Sequence, residues 1–144
     1  MLAGGACGRP GAHARRGSGG AARRPRGVAI QCRVTTEDPE NAFVPDYGKI
    51  VAYRSPAGFG VRLDGGTAFA GAVVTPHYDS LLAKVIVSTK ADNFAAACAK
   101  AGRALTEFRI EGLSANTDFL QNILSHADFV EASIHTRWVD ENMQ

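Results

Sequence analysis

Val28-Ala29-Ile30-Gln31-Cys32-Arg33-Val34-Thr35-Thr36-Glu37, followed at once by Asp38-Pro39, is the stretch from which the rest of the chain can be read. Val28, Ile30, Cys32 and Val34 recur at every second position, the period of a β-strand, and Ala29, Gln31, Arg33 and Thr35 fall on the opposite face. One face is therefore core. The other carries an arginine, which on the open side of a half-covered strand needs no special explanation. An acidic pair before a proline is common turn chemistry, so Glu37 and Asp38 read as loop-shaping residues.

Working outward, Pro39 to Gly48 reads as a loop, and Lys49 to Arg54 and Phe59 to Asp64 as two short strands around Ser55-Pro56-Ala57-Gly58, a hairpin signal. Phe59, Val61 and Leu63 would share one face of the second strand, with Arg62 and Asp64 on the other. Ala70 to Thr75 predicts a further strand, ended by Pro76. Leu81 to Val87 is apolar except for Lys84, which predicts a central strand covered on both faces. The Gly58-x-Gly60 pair lacks the third glycine and following helix of a dinucleotide site, so both are assigned to turn and bulge positions.

Helical periodicity then takes over. Phe94, Cys98, Ala101, Leu105 and Phe108 form one apolar stripe, with Thr89 and Asp92 as a candidate capping box and Gly102 as a candidate close-packing position. A second helix is expected from Ala115 to Ser125, burying Phe119, Leu120, Ile123 and Leu124, and a short third from Asp128 to Ala132. Strands in succession followed by helices, without β-α-β alternation, predict an α+β fold with a mainly antiparallel sheet and two to three helices.

Charge divides the chain in two. Residues 1 to 27 hold six arginines, eight glycines and no acid, whereas residues 28 to 144 hold ten basic and fourteen acidic residues. The first 27 residues cannot bury enough apolar surface to offset the entropy of ordering, and they read as a disordered Gly/Arg-rich arm outside the fold, which occupies 28 to 142. Arginine clusters attract phosphates and occur in transit peptides, but each glycine weakens an amphipathic helix by roughly 1 kcal/mol. No run is long and apolar enough for a signal peptide or a membrane span.

Cys7, Cys32 and Cys98 show neither C-x-x-C spacing nor a companion histidine, and His13, His77, His126 and His135 are scattered. Neither a metal site nor a disulfide framework is expected, and the cysteines read as reduced intracellular thiols.

Five blocks in the same order and at similar spacing resemble one family: Ala29-Ile30-Gln31-Cys32-Arg33-Val34-Thr35-Thr36-Glu37-Asp38-Pro39, Gly58-Phe59-Gly60-Val61-Arg62-Leu63-Asp64, Pro76-His77-Tyr78-Asp79-Ser80-Leu81-Leu82-Ala83-Lys84, Ala104-Leu105-Thr106-Glu107-Phe108 and Thr117-Asp118-Phe119-Leu120. They resemble the C-terminal subdomain of biotin carboxylases, of the rudiment single hybrid kind, and Thr35-Thr36 is similar to the pyruvate carboxylase branch. The resemblance covers about residues 26 to 142.

The resemblance implies a ligase that uses ATP, bicarbonate and Mg2+ to carboxylate biotin. Arg33 matches the family's arginine facing the biotin ureido ring, and is the candidate catalytic and biotin-binding residue. A guanidinium suits that role because it stays charged and presents a planar fork of donors. Phe59, Arg62 and Asp79 match positions at the family's dimer contact or site rim, with a hairpin face and a turn cap as their plainer readings. An ATP-grasp domain and a biotin carrier domain are the implied partners, with an oligomeric parent in the mitochondrial matrix or cytoplasm.

The ATP-grasp phosphate loop, the ATP-binding lysines and the Met-Lys-Met carrier motif are absent from the sequence. The chain therefore reads as a fragment, inactive alone. Two other readings stand beside it: a biotin carboxylase fragment of an acetyl-CoA or propionyl-CoA carboxylase, and a nucleic-acid or partner-binding protein driven by the basic arm.

Overall fold

The alternation in Val28-Thr35 produces the strand it predicts, with Ile30, Cys32 and Val34 buried. The computed structural model describes residues 26 to 143 except 67, 78, 91 and 92. The Gly/Arg-rich arm and the nucleic-acid reading attached to it lie almost wholly outside the described residues. The elements in chain order are β1 (Val28–Thr35), β2 (Glu37–Asp38), β3 (Val44–Pro45), β4 (Gly48–Lys49), β5 (Ala52–Arg54), β6 (Val61–Gly65), β7 (Val73–Val74), β8 (Leu81–Thr89), α1 (Phe94–Glu107), β9 (Arg109–Glu111), α2 (Thr117–Ser125), α3 (Ala127–Val130) and α4 (Trp138–Asn142).

Every strand pair is antiparallel. The main sheet has the order β1-β8-β6, and three two-stranded ladders join β2 to β3, β4 to β7 and β5 to β9. The α+β class with a mainly antiparallel sheet is thus the observed one. β8 is central by pairing, and its second face is covered only in part, short of the full cover its composition predicts. Leu82, Ala83, Val85 and Val87 are buried, whereas Lys84 and Ile86 are only half-buried.

The expected hairpin does not form. β5 pairs with β9 and β6 with β8, so the segments flanking Ser55-Pro56-Ala57-Gly58 belong to different sheets. Phe59 is also not on the Val61 and Leu63 face: it precedes β6 and is fully exposed. Gly58 and Gly60 do hold the turn, with φ of 139° and 74°. In place of a strand over Ala70 to Thr75, only Val73 and Val74 pair.

α1 seals the core face of β1 and β8 with Ala97, Cys98, Ala101, Ala104 and Leu105, and Phe108 just past its end is buried as well. Its cap is Asn93, whose Oδ1 accepts from the Ala96 amide at 3.1 Å. Thr89 ends β8, four residues before that cap; Asp92 lies outside the described residues. Gly102 does not mark close packing, since a Cβ there would meet nothing within 4 Å. α2 packs on α1 through Leu120, Ile123 and Leu124, while Phe119 is only half-buried and meets the Phe43 ring edge-on at 5.0 Å. α4 adds a fourth helix, seated by Trp138, whose indole N–H donates to Asp128 at 3.1 Å.

Candidate functional site

The outer face of the main sheet is a charged row. Arg33 on β1 lies opposite Lys84 on β8, and Lys84 lies opposite Asp64 on β6. Directly opposed residues share a face, so two cations stand side by side there, an arrangement that is unfavourable on its own. Each has an acidic neighbour: Lys84 Nζ donates to Asp64 Oδ2 at 2.9 Å, and the Arg33 guanidinium lies 3.9 Å from Asp79 Oδ2. The hydrogen bond and charge of Lys84 hold the Asp64 carboxyl below its ordinary value, with Arg62 adding to the effect.

Arg33 is positioned at the end of the regular ladder, because the β1–β8 register shifts between Val34 and Thr35. The turn before β8 is tied to the same place. Thr36 N–H donates to the Ser80 carbonyl at 2.9 Å, and Glu37 accepts from the hydroxyls of Thr35 at 3.3 Å and Ser80 at 3.1 Å. Glu37 and Asp38 are thus structural, as their spacing implies; Asp38 accepts from the Glu40 amide at 3.0 Å. Asp79 accepts from the Leu81 amide at 3.3 Å, the turn-cap arrangement, and also faces Arg33.

Arg33 lines a cleft of about 470 Å³, with Thr35, Glu37, Phe43, Asn116, Phe119, Thr136, Val139 and Asp140 as its other walls. Its side chain is 35% exposed, and among the described residues its guanidinium makes no hydrogen bond. Arg62 lies on the same face but one row along and two strands away, and Phe59 lies beyond the start of β6. The structure therefore brings Arg33 and Asp79 together and leaves Arg62 and Phe59 apart from them. A second depression of about 480 Å³, around Arg54, Glu107, Arg109 and Glu111, holds none of these residues.

The sequence reading missed Asn116. It is 7% exposed and hydrogen-bonds to both Arg33 and Thr35. An asparagine just before a helix signals an N-cap, and nothing in its spacing tells of a partner eighty residues upstream.

The family profile described as biotin carboxylase C-terminal domain matches residues 31–141. The chain is 51% identical over 119 residues to the mitochondrial pyruvate carboxylase of Mus musculus, covering 83% of this chain and 10% of that protein. It is 56% identical over 114 residues to the pyruvate carboxylase of Bacillus subtilis, covering 79% of this chain and 10% of that one. Among solved structures, the complete multifunctional pyruvate carboxylase of Rhizobium etli superposes with a TM-score of 0.79 at 51% identity, over 83% of this chain and 11% of that one. The biotin carboxylase domain of a thermophilic 2-oxoglutarate carboxylase bound to bicarbonate gives 0.79 at 35% identity, over 83% and 26%.

The chain spans about a tenth of the length of the curated pyruvate carboxylases it matches. The branch to which Thr35-Thr36 points is the branch of these relatives. With the match running through Arg33, the cleft and all four helices up to residue 141, the chain belongs to the biotin carboxylase C-terminal domain family.

Proposed function

We propose that this domain supplies one wall of the biotin carboxylase site of a pyruvate carboxylase, with Arg33 as the cation that receives the ureido oxygen of biotin. The observation that carries this reading is the state of Arg33 itself. Its guanidinium stands at the cleft, a third exposed, with an acidic neighbour at 3.9 Å and no hydrogen bond among the described residues. A planar, permanently charged donor set of this kind suits an oxygen on a flat ring. Biotin supplies a ring nitrogen that takes up the carboxyl group.

The residues of this chain hold the cation in place. Asp79 restrains the guanidinium without a short hydrogen bond, so the donors stay available to a ligand. Glu37, bridging the Thr35 and Ser80 hydroxyls, ties the end of β1 to the turn that carries Asp79. Charge fixed before the ligand arrives is where electrostatic stabilisation is most effective, because nothing has to reorganise during the reaction.

ATP, bicarbonate and Mg2+ are then the business of an ATP-grasp domain, and biotin arrives on a carrier domain; both are partners in the parent enzyme. The exposed Phe59 and Arg62 form an oligomer contact or site rim. Aromatic and arginine side chains together are enriched at such contacts. The mitochondrial matrix or the cytoplasm is the compartment that follows for the parent.

The test is Arg33→Ala in a complete carboxylase carrying this domain. Biotin carboxylation falls roughly 10² to 10³-fold, the scale for one lost donor to a developing oxyanion, while ATP affinity is retained. Arg33→Lys rescues only in part, as an ammonium keeps the charge without the fork. Near-parental carboxylation by Arg33→Ala removes the residue from the reaction.

A further inference from the structure

We propose that Asn116 is a positioning residue for Arg33, setting the backbone from which the guanidinium projects. The inference rests on the role proposed for Arg33 above. β1 is an outer strand of the β1-β8-β6 sheet, so the backbone groups of Arg33 and Thr35 that do not face β8 form an open edge. An open edge needs partners. Asn116 supplies them. Its Nδ2 donates to the Arg33 carbonyl at 3.2 Å, its Oδ1 accepts from the Thr35 amide at 2.9 Å, and its own backbone N–H donates to the Thr35 carbonyl at 3.2 Å.

The side-chain amide thus stands where the peptide group of a neighbouring strand would. One face of it must donate and the other accept, which fixes its orientation chemically. Aspartate of the same size lacks the donor, serine has only one oxygen, and glutamine is longer by one methylene. The choice has a local cost that points the same way. Asn116 occupies the N-cap position of α2, where asparagine ordinarily turns back onto the helix, yet its side chain makes no capping bond. The helix forgoes its own cap, and the side chain goes to β1.

Two further facts make the contact a positioning device rather than a generic edge plug. The β1–β8 register breaks between Val34 and Thr35, so β8 alone fixes the strand poorly just beyond Arg33. Asn116 is 7% exposed and heads a helix whose Leu120, Ile123 and Leu124 are anchored in the interior. Arg33 is therefore gripped by β8 on one side and by the head of α2 on the other.

A double-mutant cycle in a complete carboxylase carrying this domain tests this, with kcat for biotin carboxylation and KM for ATP read for each variant. Asn116→Ala lowers kcat about 10 to 100-fold, the scale for losing a group that orients a reacting residue, and leaves KM for ATP unchanged. Adding Asn116→Ala to Arg33→Ala then costs nothing more, because both changes remove the same stabilisation. Asn116→Asp keeps the volume and the acceptor for Thr35 while losing the donor to Arg33, and it gives the same non-additive pattern if the alanine variant folds poorly. An unchanged kcat in the Asn116 variants, or losses that add to that of Arg33→Ala, overturns the positioning role. An unchanged kcat in Arg33→Ala alone is a different failure: it overturns the role of Arg33, and the role of Asn116 with it.

Discussion

Arg33 and Lys84 are directly opposed across β1 and β8, two cations on one face of the sheet, and the pair is tolerated because each has its own acid: Asp79 at 3.9 Å from Arg33 and Asp64 at 2.9 Å from Lys84. Asp64 is the closer and the more strongly engaged, as its lowered pKa reflects. Asp64→Asn therefore lowers the thermal midpoint, and the loss shrinks as salt is added, since the unbalanced repulsion is screened at the surface. Adding Lys84→Met removes the repulsion and recovers most of the midpoint. A loss independent of ionic strength would show that Asp64 acts through packing instead.

Two glycines with opposite environments give a second prediction. Gly102, inside α1, has no positive φ and open space around its missing Cβ. Gly102→Ala stabilises by about 1 kcal/mol, from helix propensity and from restricting the unfolded chain. Gly112 sits at φ 103°, where a Cβ would collide with the Lys49 carbonyl. Gly112→Ala destabilises, because the backbone must move. Denaturant midpoints of the two variants fall on opposite sides of the parent; a shift of both in the same direction refutes the assignment.

This pair also marks how far the sequence reaches. β1, β8 and α1 are legible because each carries a long uninterrupted apolar period, with Ile30-Cys32-Val34 on the strand and Cys98-Ala101-Leu105 on the helix. Pairing is less legible. Ala52-Tyr53-Arg54 joins Arg109-Ile110-Glu111 more than fifty residues away, and no local turn signal could outweigh contacts of that range. α4 is too short to show a period, and only the single tryptophan, Trp138, hints at its buried face. In the site, Arg33 is legible through the motif around it. Asn116 is not, because its chemistry is spelled out only when α2 and the edge of β1 are placed together.

Asp46 ties a loop to the approach of α2. Its carboxylate accepts from the Ser114 amide at 2.7 Å and from the Tyr47 amide at 2.8 Å, and the Ser114 bond is the main cause of its lowered pKa. A folded-state pKa below the unfolded value of about 3.9 means that the unfolded chain binds the proton more tightly. The contribution is present above pH of about 4 and is lost as the pH falls through the lowered value. Asp46→Ala is therefore less stable than the parent at neutral pH, and the two curves converge under acid. A constant gap across the acid limb means that the carboxylate charge is not what matters.

Cys32 on β1 and Cys98 on α1 lie in the interior between sheet and helix, and burial pushes both thiols up, Cys32 to about 12 with the Cys98 charge adding to the effect, and Cys98 to about 11. The folded chain thus keeps two protons that the unfolded chain releases near 9.0. In that window the unfolded state binds fewer protons, so stability falls as pH rises from about 9 towards 11 for Cys98 and 12 for Cys32. Burial also raises the Tyr53 pKa, so its phenol adds to the same limb. Replacing both cysteines by alanine flattens the alkaline limb more than Tyr53→Phe does. Thiolate is the reactive form, so at neutral pH iodoacetamide modifies Cys32 and Cys98 slowly in the native protein and rapidly in denaturant, as read from their peptides by mass spectrometry. Rapid native labelling at either position would mean that the α1–β1 interface opens far more often than its packing allows.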